Sequence, residues 1–221
     1  MKKKTGMLPI LAALKRRMGF GKSSIKLGST SLLPTEQGHF IVQAFEDIEK
    51  GIHHVALMKG DLVSPQGTLV RIHSECLTGD VLGSKRCDCG EQLKKSLGMI
   101  EKEGSGLFIY LKGHEGRGIG LSAKIQAYAL QDLGMDTVEA NTRLGFDPDM
   151  RIYKSAIDLL HELKILKVRL ITNNPAKVKA LEDNGIEVVE RIPLTIPSTA
   201  SNKSYLKTKH DKLGHFIEQC V

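Results

Sequence analysis

The sequence contains no tryptophan, and only 5% of its 221 residues are aromatic. Proteins that bind single-stranded nucleic acid stack the bases on aromatic side chains, so this scarcity argues against such a function. Long apolar runs are also missing, and no run approaches the ~20 residues that a membrane-spanning helix needs. The sequence therefore predicts a soluble protein that neither crosses a membrane nor binds nucleic acid.

Acidic residues are absent from the first 30 positions, which hold eight of the 32 lysines and arginines. The formal net charge of +7 comes from this segment, because the rest of the chain has 24 basic and 25 acidic residues. The segment is a poor signal peptide, since its short apolar stretch at 8–14 is followed at once by three basic residues. We expect residues 1–30 to be a flexible basic extension and residues 31–221 to form a single domain in the cytoplasm.

Cysteine is scarce, with four residues, and three of them (Cys76, Cys87 and Cys89) lie close together in the sequence. In a chain without a secretion signal, clustered cysteines favour a metal site over a disulfide. Three thiolates suit Zn²⁺, and three protein ligands with water in the fourth position are typical of a catalytic zinc site. Buried or redox cysteines remain the alternative, because this spacing is less diagnostic than paired CxxC motifs.

Stretches rich in β-branched and aromatic residues predict strands at 38–46, 53–59 and 68–73. From residue 91 onward, apolar residues at helical spacing alternate with short apolar runs, and glycines end the helices. The predicted fold class is α/β, with a mixed β-sheet flanked by helices. Its N-terminal strands are expected to be antiparallel, and residues 168–190 are expected to form a C-terminal βαβ unit.

Three helices carry specific expectations. The helix over 121–133 is predicted to bury one apolar stripe, which consists of Leu121, Ile125, Ala129 and Leu133. Asp149 is the expected N-cap of the next helix, with Ile152 on its apolar face. Asn174 is the expected cap of the helix that follows the strand at 168–172.

The Gly-rich loop at 113–120, GHEGRGIG, follows a predicted strand and precedes a helix. Its backbone N–H groups could hold phosphate oxygens, with Arg117 as a charged clamp. The loop has neither the Rossmann pattern nor the P-loop pattern, and an ordinary turn is the alternative. Thr172 and Lys177 flank a second strand-to-helix junction of the kind where α/β sheets place ligands, although the local sequence alone favours simple helix capping by Asn174 at that turn.

Four stretches of the chain resemble the GTP cyclohydrolase II family. They are RIHSECLTGDVLGSKRCDCGEQL (Arg71 to Leu93), YLKGHEGRGIGL (Tyr110 to Leu121), YALQDLGMDTVEAN (Tyr128 to Asn141) and LITNNPAK (Leu170 to Lys177). The resemblance runs from about Leu33 to Gly214. Related chains often carry a dihydroxybutanone phosphate synthase domain before this region, and we expect that second activity to be absent here.

The resemblance implies hydrolysis of GTP to 2,5-diamino-6-(5-phospho-ribosylamino)pyrimidin-4(3H)-one, formate and diphosphate, the first step of riboflavin biosynthesis. It implies one Zn²⁺ per chain on Cys76, Cys87 and Cys89, Mg²⁺ on the triphosphate, and a homodimer. The matching GTP-binding positions are Arg71, Ile72, His73, Ser74, Glu75, Gln92, Glu115, Gly116, Arg117, Thr137, Thr172 and Lys177. The matching catalytic positions are Tyr128, Asp149 and Arg151.

The mechanism expected from this resemblance starts with attack of zinc-activated water on C8 of guanine. The imidazole ring then opens, and a second hydrolysis releases formate, with Tyr128 assisting proton transfer or orienting the intermediate. In the family, the position of Arg151 is that of a nucleophile toward the α-phosphate, assisted by the position of Asp149. A guanidinium has no acceptor and stays protonated, so stabilising charge on the phosphate is physically the easier role.

Two other functions stay open at this point. A basic zinc module that binds nucleic acid would need positive charge and stacking aromatics across the folded body, which is near neutral. An enzyme of the same fold that stops after ring opening would keep the formyl group on its product. The tyrosine at position 128 argues against this second alternative, and product analysis decides between them.

Overall fold

The computed structural model describes residues 23–216 of the chain. The strands in this part are β1 (Ile25–Thr35), β2 (Gly38–Asp47), β3 (Ile52–Lys59), β4 (Thr68–Ser74), β5 (Gly106–Leu111), β6 (Lys167–Ile171) and β7 (Glu187–Ile192). The helices are α1 (Leu77–Asp80), α2 (Cys89–Glu103), α3 (Leu121–Asp132), α4 (Thr137–Arg143), α5 (Lys154–Glu162), α6 (Pro175–Glu182) and α7 (Lys203–Leu213). No helix among residues 23–216 has the length and apolar character needed to cross a membrane.

The strands form one sheet in the order β1-β2-β3-β5-β4-β6-β7. β1 pairs antiparallel with β2, β2 with β3, and β3 with β5. β4 lies between β5 and β6 and is parallel to both, and β6 is parallel to β7. The predicted mixed sheet with antiparallel N-terminal strands is therefore confirmed, and β6, α6 and β7 form the predicted βαβ unit.

The central strands are buried on both faces, because successive side chains of a strand point to opposite sides of the sheet. Val70 and Ile72 of β4 join one core together with residues of α5 and α6. Leu69 of β4 instead faces a second core, in which it meets Leu97 and Ile100 of α2. Helices on both faces explain why β5 reads as a continuous apolar run rather than as an alternating pattern.

β1 begins at Ile25, so residues 25–30 belong to the sheet and not to the basic extension in which the sequence prediction placed them. The strand pairs with β2 from Ile25 to Thr35, except for an irregularity between Leu27 and Thr30. Most of its side chains are exposed, including Leu32, and the strand thus lacks the buried alternation that reveals a strand in a sequence. Residues 1–22, the rest of the predicted extension, lie outside the described residues.

The apolar stripe predicted for α3 faces the wrong way. Leu121, Ile125 and Leu133 are 42%, 49% and 82% exposed, and Ala129 is exposed as well. The buried residues of α3 are Lys124 and Ala127, because this helix packs against a polar cavity and not against the core. The sequence prediction also missed the short helix α4, although Asp136 and Glu139 form a capping box at its start.

Asp149 is not a helix cap, since α5 begins at Lys154 and Tyr153 occupies its N-cap position. The Asp149 carboxylate accepts hydrogen bonds from Arg151 instead, and Ile152 is 58% exposed in the segment before the helix. The prediction for Asn174 is confirmed. Its Oδ1 accepts a hydrogen bond from the N–H of Ala176 at 2.9 Å and thereby caps α6.

Candidate active site

A cavity lies where the segments that follow β4, β5 and β6 meet, at the carboxyl ends of these parallel strands. Open α/β sheets commonly bind ligands at this edge. Most of the site residues predicted from the sequence line the cavity: Arg71, His73, Ser74, Glu75, Cys76, Cys87, Cys89, Gln92, Gly116, Arg117, Tyr128, Thr137, Arg151, Thr172 and Lys177. Three of them do not, namely Ile72, Glu115 and Asp149. The side chain of Ile72 lies in the core, and the other two contact residues that line the cavity.

The three cysteines predicted as metal ligands meet on one side of the cavity. Cys76 follows β4, Cys87 lies between α1 and α2, and Cys89 is the first residue of α2. Their Sγ atoms all lie within 4.8 Å of one another, and those of Cys76 and Cys87 are 3.7 Å apart. All three are free thiols. This group can hold a metal ion that prefers soft sulfur ligands.

Gly79 of α1 leaves room for the three sulfurs to converge. A Cβ atom at this position would lie 2.7 Å from the Sγ of Cys87 and 3.2 Å from the Sγ of Cys76. Both distances are shorter than ordinary van der Waals contacts between heavy atoms. A larger residue at position 79 would therefore push the sulfurs apart. The three thiols can lie this close together because glycine has no side chain.

Lys124 of α3 lies beside the thiols, and the sequence prediction missed it. Its Nζ donates hydrogen bonds to the Sγ of Cys76 at 3.3 Å and to the Oγ1 of Thr78 at 2.8 Å, and it forms a buried ion pair with Glu115. Burial opposes the charged form of Lys124, but the hydrogen bond to Glu115 and the charge of Cys76 raise its pKa overall. Helical spacing is the signal that could have found it, since Lys124 precedes Tyr128 by one turn.

Tyr128 lies on the same side of α3 as Lys124. Its hydroxyl is 3.3 Å from the Oγ1 of Thr78, which is itself 3.7 Å from the Sγ of Cys76. The guanidinium of Arg86 lies over the tyrosine ring at 4.5 Å from its centroid. Burial is the main cause that raises the pKa of Tyr128, so the phenol keeps its proton at neutral pH. It can therefore donate a hydrogen bond or a proton next to the thiol group.

Arg117 shows that another part of the cavity suits an anion. Its side chain is buried, and both terminal nitrogens lack a hydrogen-bond partner among residues 23–216. Its backbone φ of +70° is uncommon for a residue other than glycine. A buried guanidinium without partners is costly, and a phosphate would satisfy both of its nitrogens at once.

Lys177 of α6 also forms no ion pair with any carboxylate in the part of the chain that the structure describes. It is only 5% exposed, and its Nζ donates a hydrogen bond to the carbonyl oxygen of Ile72 at 2.7 Å. Burial lowers the pKa of Lys177 far below its ordinary value, and the positive charges of Arg71 and Arg151 lower it further. A bound anion would offset these charges and favour the protonated ammonium. The cavity is thus built to receive negative charge.

Several predicted binding residues are fixed by internal hydrogen bonds at the end of β4. The Nε2 of His73 contacts the carboxylate of Asp80 at 3.0 Å, and the hydroxyl of Ser74 lies 3.1 Å from the Nδ1 of His114. Burial lowers the pKa of His114 to about 3, helped by the charges of nearby basic residues. His114 is thus neutral at physiological pH and can hold Ser74 in place without adding charge.

Helix α7 adds a further wall that the sequence prediction did not include. Tyr205 and Lys209 of this helix line the cavity, and His215 lines it just after the helix ends. None of these residues lies in one of the motifs that mark the rest of the site. Only the folded chain reveals them, because they are remote in sequence from the strands that they cover.

Comparisons with known proteins agree with these observations. Residues 27–193 match the family model described as GTP cyclohydrolase II. The chain is 53% identical over 196 residues to a protein named GTP cyclohydrolase-2 from Shewanella baltica, a match that covers 89% of this chain and 96% of that protein. A protein of the same name from Shewanella oneidensis is 54% identical over 196 residues, with the same coverage of both chains.

Longer relatives also match. The chain is 50% identical over 187 residues to the riboflavin biosynthesis protein RibBA of Mycolicibacterium gilvum, a match that covers 83% of this chain but only 44% of that protein. The chain thus spans less than half of this longer relative. Among solved structures, a two-domain 3,4-dihydroxy-2-butanone 4-phosphate synthase, RibBX from A. baumannii, aligns with a TM-score of 0.44 and 16% identity over 86% of this chain and 50% of that chain. The family assignment rests on the sequence matches.

Proposed function

Because the chain belongs to the GTP cyclohydrolase II family, we propose that it hydrolyses GTP to 2,5-diamino-6-(5-phospho-ribosylamino)pyrimidin-4(3H)-one, formate and diphosphate. This reaction is the first step of riboflavin biosynthesis. The observation that carries the proposal is that three convergent thiols line the same cavity as Arg117, whose two terminal nitrogens have no hydrogen-bond partner in the described part of the chain. Metal-assisted hydrolysis of a nucleotide needs a metal site and an anion site within reach of one substrate.

We expect Cys76, Cys87 and Cys89 to hold one Zn²⁺ per chain. Two sulfurs on a tetrahedral zinc with bonds of about 2.3 Å lie about 3.8 Å apart. The Sγ atoms of Cys76 and Cys87 are separated by 3.7 Å, which supports this ion. Three protein ligands also leave one position for water, as in other catalytic zinc sites. When bound, the zinc would supply Lewis-acid activation of water for the hydrolysis.

The basic side chains of the cavity would bind the triphosphate. Arg117 would place its two partnerless nitrogens on phosphate oxygens, and Lys177 would become fully protonated beside the same charge. Arg151 would add a fixed positive charge, because Asp149 holds its guanidinium in place. Mg²⁺ would accompany the triphosphate, since this ion usually reaches proteins together with the phosphates of a nucleotide.

Tyr128 would supply a proton when the guanine ring opens. The oxygen of the attacking water bonds to C8 of guanine. The ring nitrogen that leaves C8 must gain a proton as the C8–N bond breaks. The phenol is protonated at neutral pH and lies close to the thiol group through Thr78, so it is placed to donate that proton. Tyr128 would then regain a proton from the attacking water, so that its phenol is restored at the end of the reaction.

We also propose a cytoplasmic homodimer. The exposed apolar residues Leu121 and Ile125 of α3, and Leu133 just after it, support a contact with a second copy, because grouped exposed apolar side chains are typical of protein interfaces. Light scattering coupled to size-exclusion chromatography measures the mass directly. A monomer at all concentrations would refute the dimer and leave the catalytic proposal intact.

The experiment that tests the catalytic proposal starts from the zinc-loaded protein with GTP and Mg²⁺. Mass spectrometry then identifies formate, diphosphate and the pyrimidine product. All three products are expected, and a Cys87→Ser variant is expected to yield none of them. A formylated product would instead indicate a reaction that stops after ring opening, and intact GTP would reject the proposal.

A further inference from the structure

Helix α7 lies beyond the last residue that matches the family model, residue 193, yet Tyr205 and Lys209 of this helix line the cavity. The Nζ of Lys209 lies 2.6 Å from the Oδ1 of Asp88. Both side chains are almost completely buried, with 10% and 4% of their surfaces exposed. The pair therefore joins the C-terminal helix to the segment that carries two of the three thiols.

Asp88 lies between Cys87 and Cys89 in the sequence, so its backbone links both of these predicted metal ligands. Its other carboxylate oxygen accepts a hydrogen bond from the Nε2 of Gln92 at 2.6 Å. Gln92 in turn accepts one from the guanidinium of Arg71 at 2.8 Å. A continuous chain of polar contacts thus runs from α7 through the cysteine turn to β4.

Lys209 provides the only charge of opposite sign that makes an ion pair with Asp88 among residues 23–216. A buried carboxylate that loses its partner must find water or another donor. Here such a rearrangement would rotate the backbone that carries the Sγ atoms of Cys87 and Cys89.

We propose that Lys209 is a positioning residue of the metal site, which fixes the Cys87-Asp88-Cys89 turn through its ion pair with Asp88. This inference rests on the proposed function in one respect, namely that the three cysteines hold zinc. Helix α7 is well placed for the task, because Lys212 forms ion pairs with Asp136 and Glu139 at the start of α4. The C-terminal helix is therefore part of the active site.

The test compares zinc retention in the full-length, zinc-loaded protein and its variants, without GTP. Zinc transfer to a chromogenic chelator is followed by absorbance. Lys209→Met is expected to release zinc about 10- to 100-fold faster than the unaltered protein, the usual range for loss of a residue that supports a metal ligand. Lys207→Met is the matched control, since Lys207 is an exposed lysine of the same helix, and it is expected to change nothing.

Two further variants test whether Lys209 positions the cysteine turn or only attaches α7 to the rest of the protein. Lys209→Arg keeps the ion pair and is expected to restore most of the zinc retention. Lys209→Gln keeps a hydrogen-bond donor without the charge, and we expect an intermediate release rate even if Lys209→Met does not fold. Unchanged release in both Lys209→Met and Lys209→Gln, with only a lower melting temperature, would overturn the proposal.

The assay also tests the role of Lys209 independently of GTP hydrolysis. Zinc release is measured without substrate, so its result stands whether or not GTP is hydrolysed. If the unaltered protein binds zinc but leaves GTP intact, the catalytic proposal fails and the role of Lys209 is still decided. If the unaltered protein binds no zinc, both proposals fail.

Discussion

The guanidinium of Arg151 is held at two points by the carboxylate of Asp149. Its Nε donates to Oδ1 at 2.8 Å, and a terminal nitrogen donates to Oδ2. Burial opposes the charge of Arg151, but the hydrogen bonds and charge of Asp149 raise its pKa above the ordinary value. The guanidinium is therefore a fixed positive charge, and in its protonated form it has no free lone pair with which to act as a nucleophile.

This pair predicts an electrostatic role for Arg151. Arg151→Lys keeps the charge but loses the two-point contact, and we expect kcat to fall by about 10²-fold or more, as when a fixed donor is removed from other active sites. Arg143→Lys, an exposed arginine of α4, is the control and should turn over normally. Intact-mass spectrometry of rapidly quenched, unaltered enzyme should find no guanylyl group on Arg151, and such an adduct would contradict the electrostatic role.

Tyr128→Phe tests the proton donor. The variant loses only the hydroxyl that contacts Thr78, so we expect kcat for formate release to fall by about 10²- to 10⁴-fold. Zinc content and GTP affinity should stay the same, because the ring remains and the thiols are not touched. Formate release at the normal rate would remove Tyr128 from the mechanism.

Lys124 and Glu115 form a buried ion pair with only 8% and 7% of their side-chain surfaces exposed. Lys124→Met leaves the carboxylate without its cation, and we expect the free energy of unfolding to fall by about 3–5 kcal/mol. Urea denaturation of the metal-free protein measures the change. The exposed pair of Lys179 and Asp183 provides the control, since Lys179→Met should cost less than about 1 kcal/mol.

The same pair allows a double-mutant test. Combining Lys124→Met with Glu115→Gln removes the unpaired charge, so the double variant should be more stable than Lys124→Met alone. If the two substitutions were additive, the ion pair would have no special role in the stability of the site.

Gly79→Ala tests whether the thiols need the space beside this glycine. The added Cβ would meet the Sγ of Cys87 at 2.7 Å, and we expect at least a tenfold loss of zinc affinity. Gly98→Ala in α2 is the matched control, because nothing outside the neighbouring backbone of its own helix lies within 4 Å of the new Cβ. That control should bind zinc normally and gain up to about 1 kcal/mol of stability from the better helix former. Equal zinc affinity in both variants would show that the thiols can shift to accommodate the new Cβ and do not need the space beside Gly79.

His54 makes the stability of the protein depend on pH. Burial lowers the pKa of His54 to about 4, from about 6.5 in an unfolded chain. Below pH 6.5 the unfolded chain therefore takes up a proton that the folded protein does not, and stability falls toward pH 4 by at most about 1.4 kcal/mol per pH unit. His54→Leu should remove this contribution from the urea midpoints measured between pH 7 and pH 4.5, whereas His53→Leu, on the exposed neighbour, should keep it.

Local sequence patterns predicted the helices and strands whose buried apolar residues recur at regular spacing. β2 to β5 stand out because their apolar residues repeat with the period of a strand or form a short continuous run. The cysteine group stands out because three of the four cysteines lie close together in the sequence, and the Gly-rich loop stands out because it follows a strand and precedes a helix. These features depend on neighbours in the sequence, and a single sequence is sufficient to find them.

The missed features depend on contacts between distant residues. The apolar residues of α3 suggested a core face, but the cavity occupies the space beneath the helix, so Lys124 is buried and Leu121 is exposed. Asp149 has the sequence environment of a helix cap, but its carboxylate accepts two hydrogen bonds from Arg151 and does not cap a helix. Lys209 could not be found from the sequence, because its partner Asp88 is 121 residues away.

Among the described residues, none that lines the cavity comes from β1, β2 or β3. Nearly half of the sheet therefore serves as a frame without taking part in the chemistry. Substitutions on the exposed side of these three strands should leave the cavity lining in place as long as the buried residues Phe40 and Phe45 keep their packing. The turn between β1 and β2 is accordingly a suitable place to attach a fluorescent label, because a label there leaves every lining residue as it is.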